Sequence, residues 1–193
     1  MSRLTDLEIL IKIKTGDILS FSLLVDRYKY LVYTAAFRML KVKEDAEEVS
    51  QDVFLSAFKA LDTFRGDSKF STWLYRITYR KCLDYLKKNQ RWIDNKGSDI
   101  SEYHDIGELD KRMEDLEQQE RKLQVRKAIG ELPGDDGLLI TLFYLEELTL
   151  KEIAEITGYS PNSLKVKLFR SRKRLLSLLK KEMEPEIIQK YGG

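Results

Sequence analysis

The stretch Thr149-Leu150-Lys151-Glu152-Ile153-Ala154-Glu155-Ile156-Thr157-Gly158-Tyr159-Ser160-Pro161-Asn162-Ser163-Leu164-Lys165-Val166-Lys167-Leu168-Phe169-Arg170-Ser171-Arg172-Lys173 contains two helix starts with one stop between them. Thr149 and Glu152 form a capping-box pattern, in which the threonine side chain takes an orphan N–H of the first turn and the glutamate reaches back to the threonine backbone. Ile153, Ala154 and Ile156 give this short helix an apolar side. Gly158 ends it, since glycine takes the positive φ of a helix stop without a Cβ clash. Ser160 then caps a second helix whose first position, Pro161, has no N–H to leave unsatisfied. The pattern is helix, three-residue turn, helix. Ala154 is small where the second helix must cross closely, and Tyr159 plugs the crossing from beneath.

On the second helix Leu164, Leu168, Ser171, Leu175 and Leu178 fall within one arc, so the opposite arc faces outward. It presents Asn162, Ser163, Val166, Phe169, Arg170 and Lys173, with Lys165 and Arg172 on one flank and Lys167 and Arg174 on the other. Residues 160–181 hold eight Lys/Arg and no acid. A merely soluble surface helix intersperses glutamates to gain i,i+4 pairs, whereas a helix in the major groove meets bases centrally and phosphates at its sides. The module reads as a DNA-binding helix-turn-helix, with Asn162, Lys165 and Arg170 as base-edge or near-backbone contacts.

Upstream, the chain is rich in Leu, Lys, Glu and Ile and has only 3 Pro and 10 Gly among its 193 residues, which favours helix over sheet. Thr5-Asp6-Leu7-Glu8 is another capping-box pattern and opens a helix that stops at Gly16. Asp17 can cap a second helix running to about Leu40. Residues 43–61 predict a third, with Val42, Ala46, Val49, Val53, Ala57 and Ala60 on one side. Glu47, Glu48, Gln51, Asp52, Leu55 and Phe58 face away from that stripe. Large apolar residues on an outward face suit a protein partner; a helix sandwiched in a bundle would bury both sides, and the pattern alone leaves both open.

Residues 62–70 break the periodicity with turn formers, after which Ser71 or Thr72 can cap a fourth helix that buries Leu74, Ile77, Cys82 and Tyr85. Arg76, Arg80 and Lys87 share its opposite face, with Tyr79 beside them. Cations mixed with Phe64, Phe70, Trp73 and Tyr79 suit single-stranded DNA, where phosphates attract charge and unstacked bases stack on rings. Arg65, Gly66 and Lys69 lie in the preceding loop, which has room for a flipped base. Each aromatic also fits an ordinary core position.

The net charge of +2 hides three blocks. Residues 62–91 carry eight bases against three acids, residues 94–120 ten acids against three bases, and residues 160–181 the third, cationic block. The acidic stretch lacks periodicity and reads as a linker. Beyond it a helix ends at Leu132-Pro133-Gly134, and Asp135 and Asp136 can cap the next, which carries Leu138, Leu139, Leu142, Phe143 and Leu145. The chain is expected to be all-α, with two small helical domains at 1–92 and 115–193 and a flexible acidic linker at 93–114.

Chemistry is expected to be absent. Cys82 is the sole cysteine and His104 the sole histidine, so neither a disulfide nor a multi-thiolate zinc site can form, and no activated nucleophile accompanies the histidine. Gly-rich phosphate loops are missing as well. The expectation is a protein that is not an enzyme, needs no cofactor or metal, and, lacking a signal peptide or long apolar run, stays cytoplasmic without membrane insertion.

Together these segments resemble the bacterial RNA polymerase sigma factors of the extracytoplasmic-function (ECF) group, the minimal members with two conserved domains. Residues 45–54, Asp-Ala-Glu-Glu-Val-Ser-Gln-Asp-Val-Phe, look like the family's core-binding helix. That implies contact of Gln51 and its neighbours with the clamp helices of the largest polymerase subunit, and so favours the outward-facing alternative for this helix. Residues 64–77, Phe-Arg-Gly-Asp-Ser-Lys-Phe-Ser-Thr-Trp-Leu-Tyr-Arg-Ile, are similar to the segment that melts and recognises the −10 element. Residues 148–172 are similar to the −35 module. Arg80 departs from the usual Asn, Val166-Lys167 from a common Ser-Arg pair, and Gly134-Asp135-Asp136-Gly137 is more polar than usual.

The resemblance implies a promoter-specificity subunit whose partners are core polymerase, through the clamp helices and the β flap, promoter DNA, and an anti-sigma factor. It also implies that the acidic linker threads the polymerase near its active centre, mimicking nucleic acid. A dimeric helix-turn-helix regulator is the rival reading, and predicts tight DNA binding without polymerase.

Overall fold

The computed structural model describes residues 4–89 and 115–182, and all regular structure among them is helical. The acidic linker, His104 and the C-terminal tail lie outside the described residues. The chain divides into two compact units, one holding the N-terminal helices together with residues 155–158 and one holding the rest of the C-terminal helices.

In the first unit, α1 (Asp6–Lys14), α2 (Phe21–Leu40), α3 (Lys43–Lys59) and α4 (Phe70–Asn89) follow in order. The Thr5/Glu8 capping box is formed: Thr5 N–H and hydroxyl donate to the Glu8 carboxylate at 2.6 and 2.8 Å, and Glu8 N–H donates to the Thr5 hydroxyl at 3.3 Å. α1 is fixed to α2 by burial of Ile9 and Leu10 and by Asp6, which pairs with Arg27 and accepts the Tyr28 hydroxyl. Asp17 does not cap α2. It accepts the Ser20 hydroxyl at 2.7 Å, and a 3₁₀ turn at Ile18–Ser20 delays the α-helix to Phe21.

α2, α3 and α4 each pack on the other two. α3 contributes Ala46, Val49, Val53 and Ala57, whose small or β-branched side chains allow the close approach its position between two neighbours needs. Val42 is not part of that buried row; it sits extended at the N-cap and is 42% exposed. α4 starts earlier than expected. Lys69 carbonyl accepts Trp73 N–H at 3.2 Å, which draws Phe70 into the core at the first helical position. Ser71 and Thr72 therefore lie inside the first turn and cap nothing; Thr72 is buried, and its hydroxyl has no hydrogen-bond partner among the described residues.

In the second unit, α5 (Asp115–Glu131), α6 (Asp136–Ile140) and α8 (Pro161–Glu182) pack on one another, with α7 (Leu150–Thr157) between α6 and α8 in sequence. Ile129, Leu132, Leu138, Leu139, Leu142 and Leu164 are essentially inaccessible. Each fully buried leucine contributes roughly 1.5–3 kcal/mol. Gly137 explains why the Gly-Asp-Asp-Gly segment can turn so tightly, since a Cβ there would lie 2.7 Å from the Ile129 carbonyl oxygen. The helix expected to run through Leu145 changes register instead. Thr141 hydroxyl bonds back to Gly137 carbonyl at 2.8 Å, and a π turn follows at Thr141–Leu145, closed by Glu146 N–H on Thr141 carbonyl. The wider turn leaves Leu145 half exposed, not buried.

Candidate nucleic-acid interfaces

α7 begins with the capping box read from its sequence. Thr149 N–H and hydroxyl donate to Glu152 Oε2 at 2.8 and 2.7 Å, and Glu152 N–H donates to Thr149 Oγ1 at 3.3 Å. Ile153 and Ile156 are buried, and Gly158 closes the helix at φ +78°. Ser160 Oγ accepts Ser163 N–H at 3.2 Å and stands 2.9 Å from the Ser163 hydroxyl, so α8 starts at Pro161 with its cap in place.

Along α8, Leu164, Leu168 and Ser171 are buried, the last donating its hydroxyl to Lys167 carbonyl at 2.9 Å. Asn162, Ser163, Lys165, Val166, Phe169, Arg170, Arg172 and Lys173 are all exposed on the remaining surface. Phe169 is 63% exposed, a high value for an aromatic residue in mid-helix. The helix N-terminus adds the positive end of its dipole to the acid-free row of cations.

Two flanking cations behave differently. Lys167 is half-buried, with Nζ 3.0 Å from Asp135 Oδ1 and 4.7 Å from the centre of the Tyr159 ring. Arg174 pairs with Asp136. Asp135 and Asp136 were expected to cap α6, but no side-chain cap bond forms; their carboxylates turn towards α8 instead. Tyr159, expected under the helix crossing, donates its hydroxyl to Asp135 Oδ2 at 2.9 Å. Local sequence patterns missed these two acids as partners of α8. The available signal was the seven-residue spacing of Lys167 and Arg174, which places them two turns apart on one side of α8.

In the first unit, Phe64, Phe70 and Trp73 form a three-ring cluster with all centroid separations at 5.4 Å. Phe70 is core, while Phe64 and Trp73 are half-exposed at its rim. Arg65, Gly66 and Lys69 are exposed in the adjoining loop, where Gly66 sits at φ +83° with open space where a Cβ would be. Arg76 and Arg80, one turn apart, are exposed on α4. Tyr79 is not beside them. It is 2% exposed, because the buried arc of α4 runs through Leu74, Tyr75, Thr78, Tyr79 and Cys82, leaving Ile77 and Tyr85 at its margins. A buried ring cannot stack on an incoming base.

α3 presents Glu47, Glu48, Gln51, Asp52 and Leu55 to solvent, Leu55 at 59% exposure. Phe58 is also outward, meeting Phe21 edge-on at 5.0 Å. The outer side of α3 is thus a surface, not a second core face. No helix among the described residues is long and apolar enough to cross a membrane.

The two units correspond to two family models, Sigma-70 region 2 over residues 24–92 and Sigma-70, region 4 over residues 122–175. The chain belongs to the sigma-70 family of RNA polymerase sigma factors. Among its relatives, the ECF RNA polymerase sigma-E factor of Escherichia coli (strain K12) is 33% identical over 179 residues, covering 90% of this chain and 93% of that protein. The sigma-E factor of Haemophilus influenzae is 31% identical, covering 90% and 94%. The RNA polymerase sigma-H factor of Pseudomonas aeruginosa is 30% identical, covering 88% and 91%.

Solved structures share the fold. CnrH in complex with the cytosolic domain of CnrY matches with TM-score 0.59 at 24% identity, covering 91% of this chain and 97% of that one. RpoE from Bartonella quintana, in complex with the anti-sigma factor NepR, matches with TM-score 0.61 at 22% identity, covering 83% and 96%.

Proposed function

We propose that this sigma subunit divides promoter recognition between its two units. α8 enters the major groove of the −35 duplex and reads it with Asn162, Ser163, Lys165, Val166, Phe169, Arg170 and Lys173. The loop and helix bearing Phe64, Arg65, Gly66, Lys69, Trp73, Arg76 and Arg80 hold the unpaired −10 strand. Glu47, Glu48, Gln51, Asp52 and Leu55 on α3 dock on core polymerase. The working division is 1–92, 93–114 and 115–193. The observation that carries the reading is the two-sided character of α8, with leucines and a serine buried on one side and an acid-free cationic surface on the other.

Melting needs no bond to be made or broken. Preferential binding of the unpaired strand shifts the duplex equilibrium open, with cations on phosphates and half-exposed rings stacking on bases. The protein is accordingly a specificity factor whose partners are core polymerase and promoter DNA, and whose exposed α3 and α8 surfaces are open to an anti-sigma factor. Core polymerase fixes the separation of two modules that each make few contacts.

Abortive transcription with purified core polymerase tests this. The protein is expected to direct initiation from its own promoter, and failure to do so with folded protein on a verified promoter refutes the reading. Arg170→Ala is expected to weaken −35 duplex binding about tenfold, within the range of a lost base contact, at unchanged core-polymerase affinity. Equal loss of both contradicts the assigned role.

A further inference from the structure

Lys167 and Arg174 differ from the other cations of α8 in being paired with acids of the same unit, Lys167 half-buried and Arg174 still exposed. The turn between α5 and α6 offers them two consecutive aspartates, and each is taken: Lys167 by Asp135 at 3.0 Å, Arg174 by Asp136. The side chains of the acids are only 13% and 7% exposed, while those of Lys167 and Arg174 are 31% and 56% exposed, so the pairs are anchored on their acidic side. Asp135 uses its second oxygen to accept the Tyr159 hydroxyl from the residue just before the α8 cap, and the same tyrosine ring lies against Lys167 Nζ. Gly137 lets the turn press against the end of α5, giving the two carboxylates a fixed base.

We infer that Asp135 and Asp136 form a clamp that sets the rotation of α8 about its own axis, and that Lys167 is a positioning residue rather than a phosphate contact. Two anchors two turns apart on one side of a helix resist both roll and tilt. Lys165, Arg170 and Lys173 then face the groove because Lys167 and Arg174 are held away from it. Burial draws the Lys167 amine downward, but Asp135 and Tyr159 outweigh it and the net direction is upward, so the lysine stays charged at neutral pH. A lysine already neutralised inside the protein gathers no phosphate and releases no counterion when DNA binds.

The inference rests on α8 being the helix that reads duplex DNA, and the test separates the two. The full chain, assembled with core polymerase, is first used to select −35 sequences from a randomised duplex library. Affinity for the selected duplex and for single mismatches is then measured against NaCl concentration. Arg172→Ala, on the exposed flank of α8 where a helix in the groove meets phosphates, is expected to lower the salt slope by about 1, the value for one phosphate-contacting cation; an unchanged slope there refutes the groove reading itself. Lys167→Met is expected to leave the slope unchanged, and a fall of about 1 overturns the clamp.

The double variant Asp135→Asn with Asp136→Asn keeps every groove-facing side chain and the approximate shape of the turn, but removes both charges and leaves one acceptor oxygen at each position, so that residue 135 no longer accepts from Lys167 and Tyr159 together. It is expected to lose about tenfold in discrimination against a single mismatch, the share of one base contact, without a smaller salt slope. Discrimination retained within about twofold overturns the clamp.

Discussion

Gly137→Ala tests how closely α6 and α5 meet. A Cβ at this position lies 2.7 Å from the Ile129 carbonyl oxygen, whereas carbon–oxygen contacts settle near about 3.3 Å or more. The shortfall is about 0.6 Å, and the obstacle is backbone, so no rotamer change removes it. Two effects oppose each other. Alanine in place of a helical glycine gains up to about 1 kcal/mol, while over-packing a dense core costs about 1–3 kcal/mol.

Leu138, Leu139 and Ile140 are all fully buried just beyond Gly137, so moving α6 loosens their contacts too and puts the cost in the upper part of that range. The expected net destabilisation is about 1–2 kcal/mol, a factor of roughly 5–30 in local opening. Hydrogen exchange on the full chain reads it directly: amides of α6 and the π turn lose that much protection while α2, α3 and α4 keep theirs. Gly134→Ala is the control, since nothing crowds that position and only its φ of +56° is at issue. Unchanged or increased protection in Gly137→Ala refutes the close-approach reasoning.

Cys82 is fully buried and its thiol is pushed up to about 12 by burial, so it is expected to resist a thiol reagent at pH 8 until urea unfolds the first unit. Immediate labelling in native buffer contradicts the α2–α3–α4 core. Glu8 is held below its ordinary 4.5 by the Thr5 backbone N–H first and the Thr5 hydroxyl second. A depressed carboxylate stabilises above its ordinary range, and the effect fades as pH falls through the folded value, because the unfolded chain then binds more protons. Carbon-detected NMR titration of Glu8 is expected to show a midpoint below 4.5, moving only part-way back in Thr5→Val since the backbone donor remains. An ordinary midpoint in the unaltered chain shows that the capping box does not form.

Residues that act within one turn were legible in the sequence. Thr5 with Glu8, Thr149 with Glu152, and Ser160 ahead of Pro161 each bond three residues along, so identity and spacing settle the geometry. The inner face of α8 was legible for the same reason. Tyr79 was misplaced because a tyrosine satisfies either side of a helix, and the apolar arc of α4 is broader than the positions chosen for it. Thr72 failed as a cap because the burial of Phe70 moved the helix start. Asp135 and Asp136 were hidden most thoroughly. Asp next to a helix start suggests a cap, and only the fold reveals partners 24 and 38 residues away.

The division of α8 into a packed side and an exposed side proposed to read DNA bears on how such a protein diverges. The anchoring residues and the proposed reading residues alternate along one segment but are different side chains: Leu164, Leu168 and Ser171 are buried, whereas Asn162, Val166 and Phe169 are exposed. Duplicated copies of such a gene can therefore drift to new target sequences by exchanging exposed residues one at a time, each intermediate remaining a folded and testable protein.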